Sequence, residues 1–475
     1  MKKIFILLFT QLALCCTSFA ANYLTFTAEE DNSSFSIEDH DIKSNIFYSL
    51  DNGKTWKQLT GQPVKLAKGD RALLKGGKPD QNPTWFIYSN FKMAGLIAAS
   101  GSVMSLVDGN GEGKTIPYAY CFYGLFQNCT SLTQAPELPA TTLAERCYAV
   151  MFDNCPNLTQ APKLPAKTLA IGCYNGMFNG CTSLTQAPEL PAKTLAYGCY
   201  RFMFNRCKSL TQAPKLPATT LADYCYHQMF SKCTSLTKAP KLPSKTLAVG
   251  CYEEIFNGCT SLTQAPKLPA KTLAERCYEE MFRECTSLTQ APKLPAKTLT
   301  ERCYKEMFRG CSNLTKAPEL PTKTLAVKCY YDMFSGCTSL TQAPELPATT
   351  LARACYIGMF RDCTSLTQAP ELPTTTLEED CYGWMFSGCT SMTKAPELPA
   401  KTLANGCYAG MFNGCSNLAY IDVKFTDWGT DTFFWLTGVA ENGTFHCPAE
   451  LSTDYYGGSR IPENWEIRKW IHGTP

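Results

Sequence analysis

Histidine is scarce in this chain, with 4 residues among 475, and neither charge sign dominates, since 44 Lys and Arg stand against 41 Asp and Glu for a net charge of +3. The balanced charge argues against the basic surface of a typical nucleic-acid-binding protein. Beyond the N-terminus no apolar run reaches the roughly 20 residues that a transmembrane helix needs. The chain is instead rich in Cys, with 27 residues, which it combines with 30 Pro and 31 Gly. This composition fits an ordinary cytosolic enzyme poorly and indicates an extracellular protein.

The first twenty residues have the pattern of a secretory signal peptide. Lys2 and Lys3 precede the apolar run of residues 4–14, and Ser18-Phe19-Ala20 supplies a small-x-small cleavage site. We expect cleavage after Ala20 and a secreted or cell-surface protein. Cys15 or Cys16 leaves a lipoprotein as the alternative.

A repeat of 26 residues organises most of the chain. Cysteine pairs eight residues apart begin at Cys121 and Cys129 and recur twelve times, ending at Cys407 and Cys415. A unit this short cannot bury an apolar face alone, so stacked units are expected to form an elongated solenoid. The predicted parts are an N-terminal domain at 22–116, the solenoid at 117–418 and a C-terminal cap at 419–475.

Each repeat contains an apolar stripe with a spacing of four residues, as in Leu169, Cys173, Met177 and Cys181, which predicts a helix of about three turns. Thr-x-x-Glu patterns are expected to cap this helix at its N-terminus; they begin at Thr142, Thr272, Thr298 and Thr376. Glycines are expected at its C-terminus; they are Gly180, Gly258, Gly310, Gly336, Gly388 and Gly414. With a short strand around residues 184–187, the prediction is a right-handed α/β solenoid of the leucine-rich-repeat kind.

The repeat carries a family resemblance. The motif Met-Phe-x-x-Cys-Thr-Ser-Leu-Thr at residues 177–185, 333–341 and 359–367 resembles the BspA-like leucine-rich repeats of bacterial surface proteins. Ala-Pro-x-Leu-Pro stands where that family commonly has a more regular apolar strand. The resemblance implies a noncatalytic secreted or surface-displayed binding protein of the adhesin kind.

The two ends differ from the repeat. Alternating segments in 22–116 predict a β-sandwich-like domain. Within it, Ser49-Leu-Asp-Asn-Gly-Lys-Thr-Trp56 resembles the Asp-box of sialidases, a hairpin turn that marks structure and carries no chemistry. The C-terminal segment is expected to cover the open end of the solenoid.

Catalytic and metal-binding residues are hard to find. The usual hydrolase, metalloprotease and nucleotide-binding motifs have no match, so we predict no enzyme, no cofactor and no metal site. The repeat cysteines are expected to be buried thiols, with disulfides between neighbouring coils as the alternative. His227 is interpreted as an exposed variable position. The carboxylate pairs Glu253-Glu254 and Glu279-Glu280 are interpreted as part of a solvated face.

One position between two prolines varies in charge from coil to coil. It reads Glu137, Lys163, Glu189, Lys215, Lys241, Lys267, Lys293, Glu319, Glu345, Glu371 and Glu397. Like charges about 4.8 Å apart repel, so a run of four lysines is either a binding surface or drift on a solvated face. The predicted binding residues are Lys215, Lys241, Lys267, Lys293, Lys245, Lys271 and Lys297.

The expected partner of these lysines is a host or bacterial surface protein or an anionic glycan, with no nucleic acid and no transmembrane helix. The chain is expected to be a monomer. Two other functions stay open: glycan binding or processing by the N-terminal domain, and a structural surface-coat rod that self-associates.

Overall fold

A computed structural model describes residues 21–38, 45–77, 90–429 and 432–470. The predicted signal peptide, its cleavage site and the alternative lipidation cysteines lie outside the described residues. No helix within the described ranges is long and apolar enough to cross a membrane.

Two antiparallel sheets form the N-terminal region. Their strands are β1 (Leu24–Ala28), β2 (Ser33–Ile37), β3 (Ile46–Ser49), β4 (Lys57–Gln58), β5 (Val64–Leu66), β6 (Arg71–Gly76), β7 (Phe91–Ala94) and β8 (Ile97–Ser100). One sheet has the order β4-β3-β6-β1-β8 and the other has the order β5-β2-β7. Phe26 of the first sheet contacts Phe35 and Phe91 of the second edge to face, with ring centroids 5.1 and 5.0 Å apart. The two sheets therefore share one aromatic core, as in a β-sandwich.

The β3–β4 hairpin has the predicted Asp-box structure. The Ser49 hydroxyl accepts from the Gly53 amide at 2.8 Å, and the Asp51 carboxylate accepts from the Thr55 amide at 2.9 Å. The Trp56 indole donates to the Gly53 carbonyl at 3.1 Å. Hydrogen bonds, first of all from the Thr55 hydroxyl, hold the pKa of Asp51 well below its usual value.

The N-terminal region continues into the repeat without a break in hydrogen bonding. Helix α1 (Ser105–Asp108) follows β8, and β9 (Leu132–Gln134) pairs with β8 in parallel. The Phe91 and Phe126 rings lie 5.3 Å apart, and the Cys129 thiol donates to the Phe91 carbonyl at 3.1 Å. The first coil is thus built on the edge of the N-terminal sheet.

The predicted repeat helix is wrong. In the part of the chain that the structure describes, the four-residue α1 is the only α-helix, and it lies outside the repeat. The repeat segment is a series of turns in which alternate amides have different partners. The Ala149 amide donates to Arg146 three residues earlier at 3.2 Å, whereas the Val150 amide donates to Asn175 of the next coil at 2.7 Å. We call this segment the turn ladder; it comprises residues 146–154 in this coil and the equivalent residues, at steps of 26, in the other coils.

The spacing of four explains the difference from a helix. Four residues on an α-helix advance about 400°, so residues at a constant spacing of four drift around it by roughly 40° per step. In the turn ladder every fourth residue instead adopts a left-handed conformation, as Gly172, Gly176 and Gly180 do at φ 57°, 61° and 74°. The apolar residues therefore stay on one side, and each turn leaves an amide free to pair with the next coil.

The predicted helix caps need the same correction. Thr142, Thr272, Thr298 and Thr376 cap no helix, because none begins there. The predicted C-terminal glycines are left-handed, with φ between 70° and 75°, but each ends a run of turns. A left-handed glycine also ends many α-helices, so these glycines alone do not distinguish the two structures.

The predicted strand is reduced to isolated backbone pairing. Around residues 184–187 the pairing is a single parallel bridge between Gln160 and Gln186, and the Thr185 amide donates to Thr159 at 3.3 Å. Pro188 and Pro191 follow, and proline has no amide hydrogen with which to extend the pairing. The coils are therefore joined mainly by the turn ladder.

Continuous columns of identical side chains fill the core. Tyrosine rings from Tyr148 to Tyr408 stack 5.7–6.2 Å apart. Phenylalanine rings from Phe126 to Phe412 stack 5.4–5.9 Å apart. The predicted stacking of coils in register is visible in these columns. Their repeat count and handedness stay predictions.

The C-terminal segment prolongs the stack. Its strands are β11 (Tyr420–Val423), β12 (Gly443–Cys447) and β13 (Trp465–Lys469). They continue from β10 (Lys394–Leu398) of the repeat and form one parallel sheet with it in sequence order. Phe425, Trp428, Trp435 and Phe445 pack together where the repeat has its Tyr and Phe columns. The stack therefore ends in shorter coils with larger aromatic side chains.

Candidate functional site

The predicted binding lysines project from the proline-containing segments. We call Lys215, Lys241, Lys267, Lys293, Lys245, Lys271 and Lys297 the lysine strip; all seven are exposed. None takes part in the ion pairs found within the described residues. Leu216 and Leu242, which follow Lys215 and Lys241, are each 4% exposed, so the backbone beneath the strip is anchored in the core.

Backbone pairing brings the strip together. Parallel bridges join Gln212 to Lys238 and Lys238 to Gln264, three residues before Lys215, Lys241 and Lys267. Paired parallel strands lie about 4.8 Å apart, so these lysines form a column with one positive charge per coil. The same side also bears grooves nearer its ends. One of about 730 Å³ is lined by Glu137 and Lys163, among others, and one of about 450 Å³ by Glu371 and Glu397.

Sequence reasoning missed a second charged feature, which lies on the turn ladder. His227, Glu253 and Glu279 are only 6%, 5% and 3% exposed. The interpretations of His227 as an exposed position and of these glutamates as a solvated face are therefore wrong. Each side chain is covered by its counterparts in the neighbouring coils, because variable positions of successive coils lie next to one another.

Ion pairs join these buried groups from coil to coil. Arg276 contacts Glu253 and Glu279, each at 2.9 Å, and Lys305 contacts Glu279 at 2.8 Å. Lys305 also lies 3.2 Å from Glu306. We call the inter-coil charge network the set Arg201, His227, Glu253, Arg276, Glu279, Lys305, Glu306, Arg309 and Asp332.

Burial shifts the titration of this network. Desolvation, helped by Arg201 and Arg276, lowers the pKa of His227 to about 3. Desolvation raises the pKa of Glu253 to about 7 against the opposing effect of Arg276. One Glu253 carboxylate oxygen is buried without a hydrogen-bond partner. The network thus holds a neutral imidazole beside a carboxyl group that is partly protonated near neutral pH.

Two side chains of the network and the adjacent Glu254 come close enough to raise the question of a metal. Ligand atoms of His227, Glu253 and Glu254 lie within 4.8 Å of one another. The Arg201 guanidinium, however, donates to His227 Nδ1 at 3.2 Å. A neutral imidazole then carries its proton on Nε2, the atom that faces the two carboxylates at 3.8 and 3.9 Å. These donors fit a hydrogen-bonded charge network better than a metal site, since a metal-binding histidine normally donates through its other nitrogen.

The cysteines are buried free thiols, as expected. The 25 cysteines from Cys121 to Cys447 are free and buried. The second thiol of a coil donates to a phenylalanine carbonyl of the preceding coil, as Cys259 does to Phe230 at 3.1 Å. Burial raises the pKa of Cys259 to about 12. Such thiols are packing groups and hydrogen-bond donors, and they are poor nucleophiles.

Large exposed apolar side chains lie away from the lysine strip. In the repeat they are Ile171 and Tyr197, each 46% exposed, next to the turn ladder. In the C-terminal coils they are Phe433, Phe434, Tyr455 and Tyr456. The strip is therefore a polar, cationic surface without aromatic anchors among the described residues.

Comparison with known proteins agrees with the architecture. The family model of the BspA type leucine-rich repeat region matches residues 123–226, 145–266 and 223–367, with 6 copies of the repeat. These matches together span 123–367, just over half of the chain. No curated protein and no solved structure gives a match. Membership of this repeat family suggests a surface protein. Repeats of this type are often involved in binding and are generally non-enzymatic. This chain belongs to the BspA-type leucine-rich repeat family.

Proposed function

We propose that the protein is a noncatalytic binding protein, secreted or displayed at the bacterial surface, that attaches to an acidic macromolecule of a host or neighbouring cell. The observation that carries the proposal is the lysine strip, seven exposed ammonium groups in register without an intramolecular ion pair in the described structure. Elsewhere in the same coils, charges on the turn ladder are paired with one another. An exposed column of unpaired charge attracts an oppositely charged surface and loses that attraction as salt rises.

A charge reversal tests this function. The variant K215E/K241E/K267E/K293E should lose salt-sensitive capture of acidic glycans and acidic surface proteins on an array probed with the mature chain. The matched control is K54E/K57E/K65E/K68E, which makes the same charge change at exposed positions of the N-terminal region. Loss in the first variant and retention in the control supports the proposal. Equal capture by both variants and the wild type would assign binding to another surface, and capture lost only in the control would favour the N-terminal region.

A further inference from the structure

The lysine strip belongs to a wider surface that has one sign of charge. Each of its four coils contributes one segment, at residues 207–222, 233–248, 259–274 and 285–300. These segments contain nine lysines and no Asp or Glu. The two lysines outside the strip, Lys208 and Lys238, are exposed as well. An anionic partner laid on these segments meets no Asp or Glu within them, and exposed acidic residues, Asp223, Glu275 and Glu301, directly follow three of the four.

The lysines of the strip are arranged in columns along the stacking direction of the coils. Lys215, Lys241, Lys267 and Lys293 are separated by three coil steps, which at about 4.8 Å per step gives a column roughly 14 Å long. A second column consists of Lys245, Lys271 and Lys297. Each of these lysines follows a lysine of the first column by four residues, so the two Cα atoms are at most about 14 Å apart. Prolines precede and follow the first column, as Pro214 and Pro217 do beside Lys215, and restrict the backbone beneath the charges.

The column is closed at both ends by the opposite charge. Glu189 occupies the equivalent position one coil before Lys215, and Glu319 occupies it one coil after Lys293. Both glutamates are exposed. Along this column a polyanion is attracted over four coils and meets a carboxylate at the next coil in each direction. Exposed lysines of those flanking coils, Lys193, Lys316 and Lys323, lie outside the column, so the change of sign is a property of the column itself.

The chemistry of the surface selects among polyanions. Protein hot spots depend on buried aromatic anchors, and single-stranded nucleic acids stack their bases on aromatic rings. The exposed apolar side chains of the repeat, Ile171 and Tyr197, lie beside the turn ladder and not on this surface. A flexible chain with an anionic group on successive units needs only the column of ammonium groups.

We infer that the lysine strip binds a linear acidic polysaccharide that lies along the stacking direction of the coils, with a footprint of four coils. The inference rests on the proposed function and names its ligand class. The anionic groups of the polysaccharide pair with Lys215, Lys241, Lys267 and Lys293, and the second lysine column contacts its flank. Glu189 and Glu319 limit the bound length.

The test uses the mature full chain and heparin oligosaccharides from disaccharide to dodecasaccharide, with affinity measured at low and moderate salt. Affinity should rise with oligosaccharide length and then level off once the chain spans four coils. The K215E/K241E/K267E/K293E variant should bind on the order of 10²-fold more weakly, since each exposed charge contact contributes modestly. The E319K/E345K variant, which extends the column by two coils, should shift the plateau to longer oligosaccharides.

The outcomes separate the inference from the function on which it rests. An unchanged plateau in E319K/E345K, or affinity that grows without a plateau in the wild type, overturns the four-coil footprint. Tighter binding of single-stranded DNA than of heparin at equal salt overturns the ligand class. Strip-dependent capture of an acidic surface protein without any oligosaccharide binding overturns the inference while the proposed function stands. If the strip variant captures every acidic ligand as the wild type does, both fail.

Discussion

The two charged sides of the same coils differ in how their charges are used. On the turn ladder, Arg276 joins Glu253 and Glu279, and these carboxylates are almost fully buried. On the proline side, Lys241 and Lys267 are exposed and have no ion-pair partner among the described residues. Charges that are buried between coils must be compensated, so they tie the stack together. Charges that stay in water contribute little to stability and remain available to a ligand.

Removing one network cation should have the largest effect on stability. Arg276→Ala leaves Glu253 without its cation and Glu279 with Lys305 alone, and we expect a loss of about 3 kcal/mol in unfolding free energy. The control Lys267→Ala, on the other side of neighbouring coils, should change it by less than about 0.5 kcal/mol. Denaturant unfolding followed by circular dichroism measures both. Equal losses in the two variants would remove the distinction between the two sides.

The second prediction concerns pH. The pKa of Glu253 is about 7 in the folded protein, above its unfolded value of 4.5. As pH falls, the folded state therefore takes up this proton before the unfolded state does. Protonation of Glu253 thus raises the free energy of unfolding as pH falls from about 7 towards 4.5. His227 lowers the free energy of unfolding as pH falls from about 6.5 towards 3, because its pKa is lower in the folded protein than in the unfolded chain. Comparing the wild type with Glu253→Gln separates the contribution of Glu253 from that of His227.

Relative to the wild type, Glu253→Gln should therefore become more stable by about 2 kcal/mol between pH 5 and pH 8, since Gln carries no charge to desolvate. Thermal or denaturant unfolding at both pH values gives the difference. Lys267→Gln serves as the control and should show no such trend. A pH-independent difference between wild type and Glu253→Gln would mean that Glu253 is solvated.

The smallest expected effect comes from a glycine substitution in the backbone of the turn ladder. Gly198 has φ 54°, and an added Cβ would meet no atom closer than 4.0 Å. Gly198→Ala should thus destabilise the protein by about 1 kcal/mol through backbone strain alone. In the helix predicted from the sequence, the same change would stabilise by a similar amount. The sign of the shift in unfolding midpoint decides between the two structures.

The period, the register and the burial of the thiols could be predicted because a 26-residue repeat whose apolar positions recur in every coil stacks with equivalent residues next to one another. The turn ladder could have been found as well, since Gly172, Gly176 and Gly180 recur at a spacing that no α-helix keeps on one face. Helical amphipathicity and a four-residue turn give the same pattern over a short window, and of these three glycines only Gly180 stands where a helix C-terminus is expected.

The charge network was harder to predict. Glu253 is followed by Arg276 after 23 residues, and Glu279 by Lys305 after 26, so the partners are visible only once the coil step is imposed on the variable positions. The exposure of the lysine strip agrees with the sequence, and its role in binding stays a prediction. The C-terminal coils lack the Cys-Tyr-x-x-Met-Phe motif, which is why the sequence suggested a cover and not further coils.

The hydrogen bonds of the turn ladder have a consequence for the length of the molecule. Alternate amides of one coil donate to equivalent carbonyls of the next, from Tyr148 with Cys173 to Tyr382 with Cys407. Excising a whole repeat, or duplicating one, leaves each remaining donor opposite an equivalent acceptor and each ring above an equivalent ring. Recombination between repeats can therefore change the reach of the molecule and the order of charges along its side while every junction keeps its geometry.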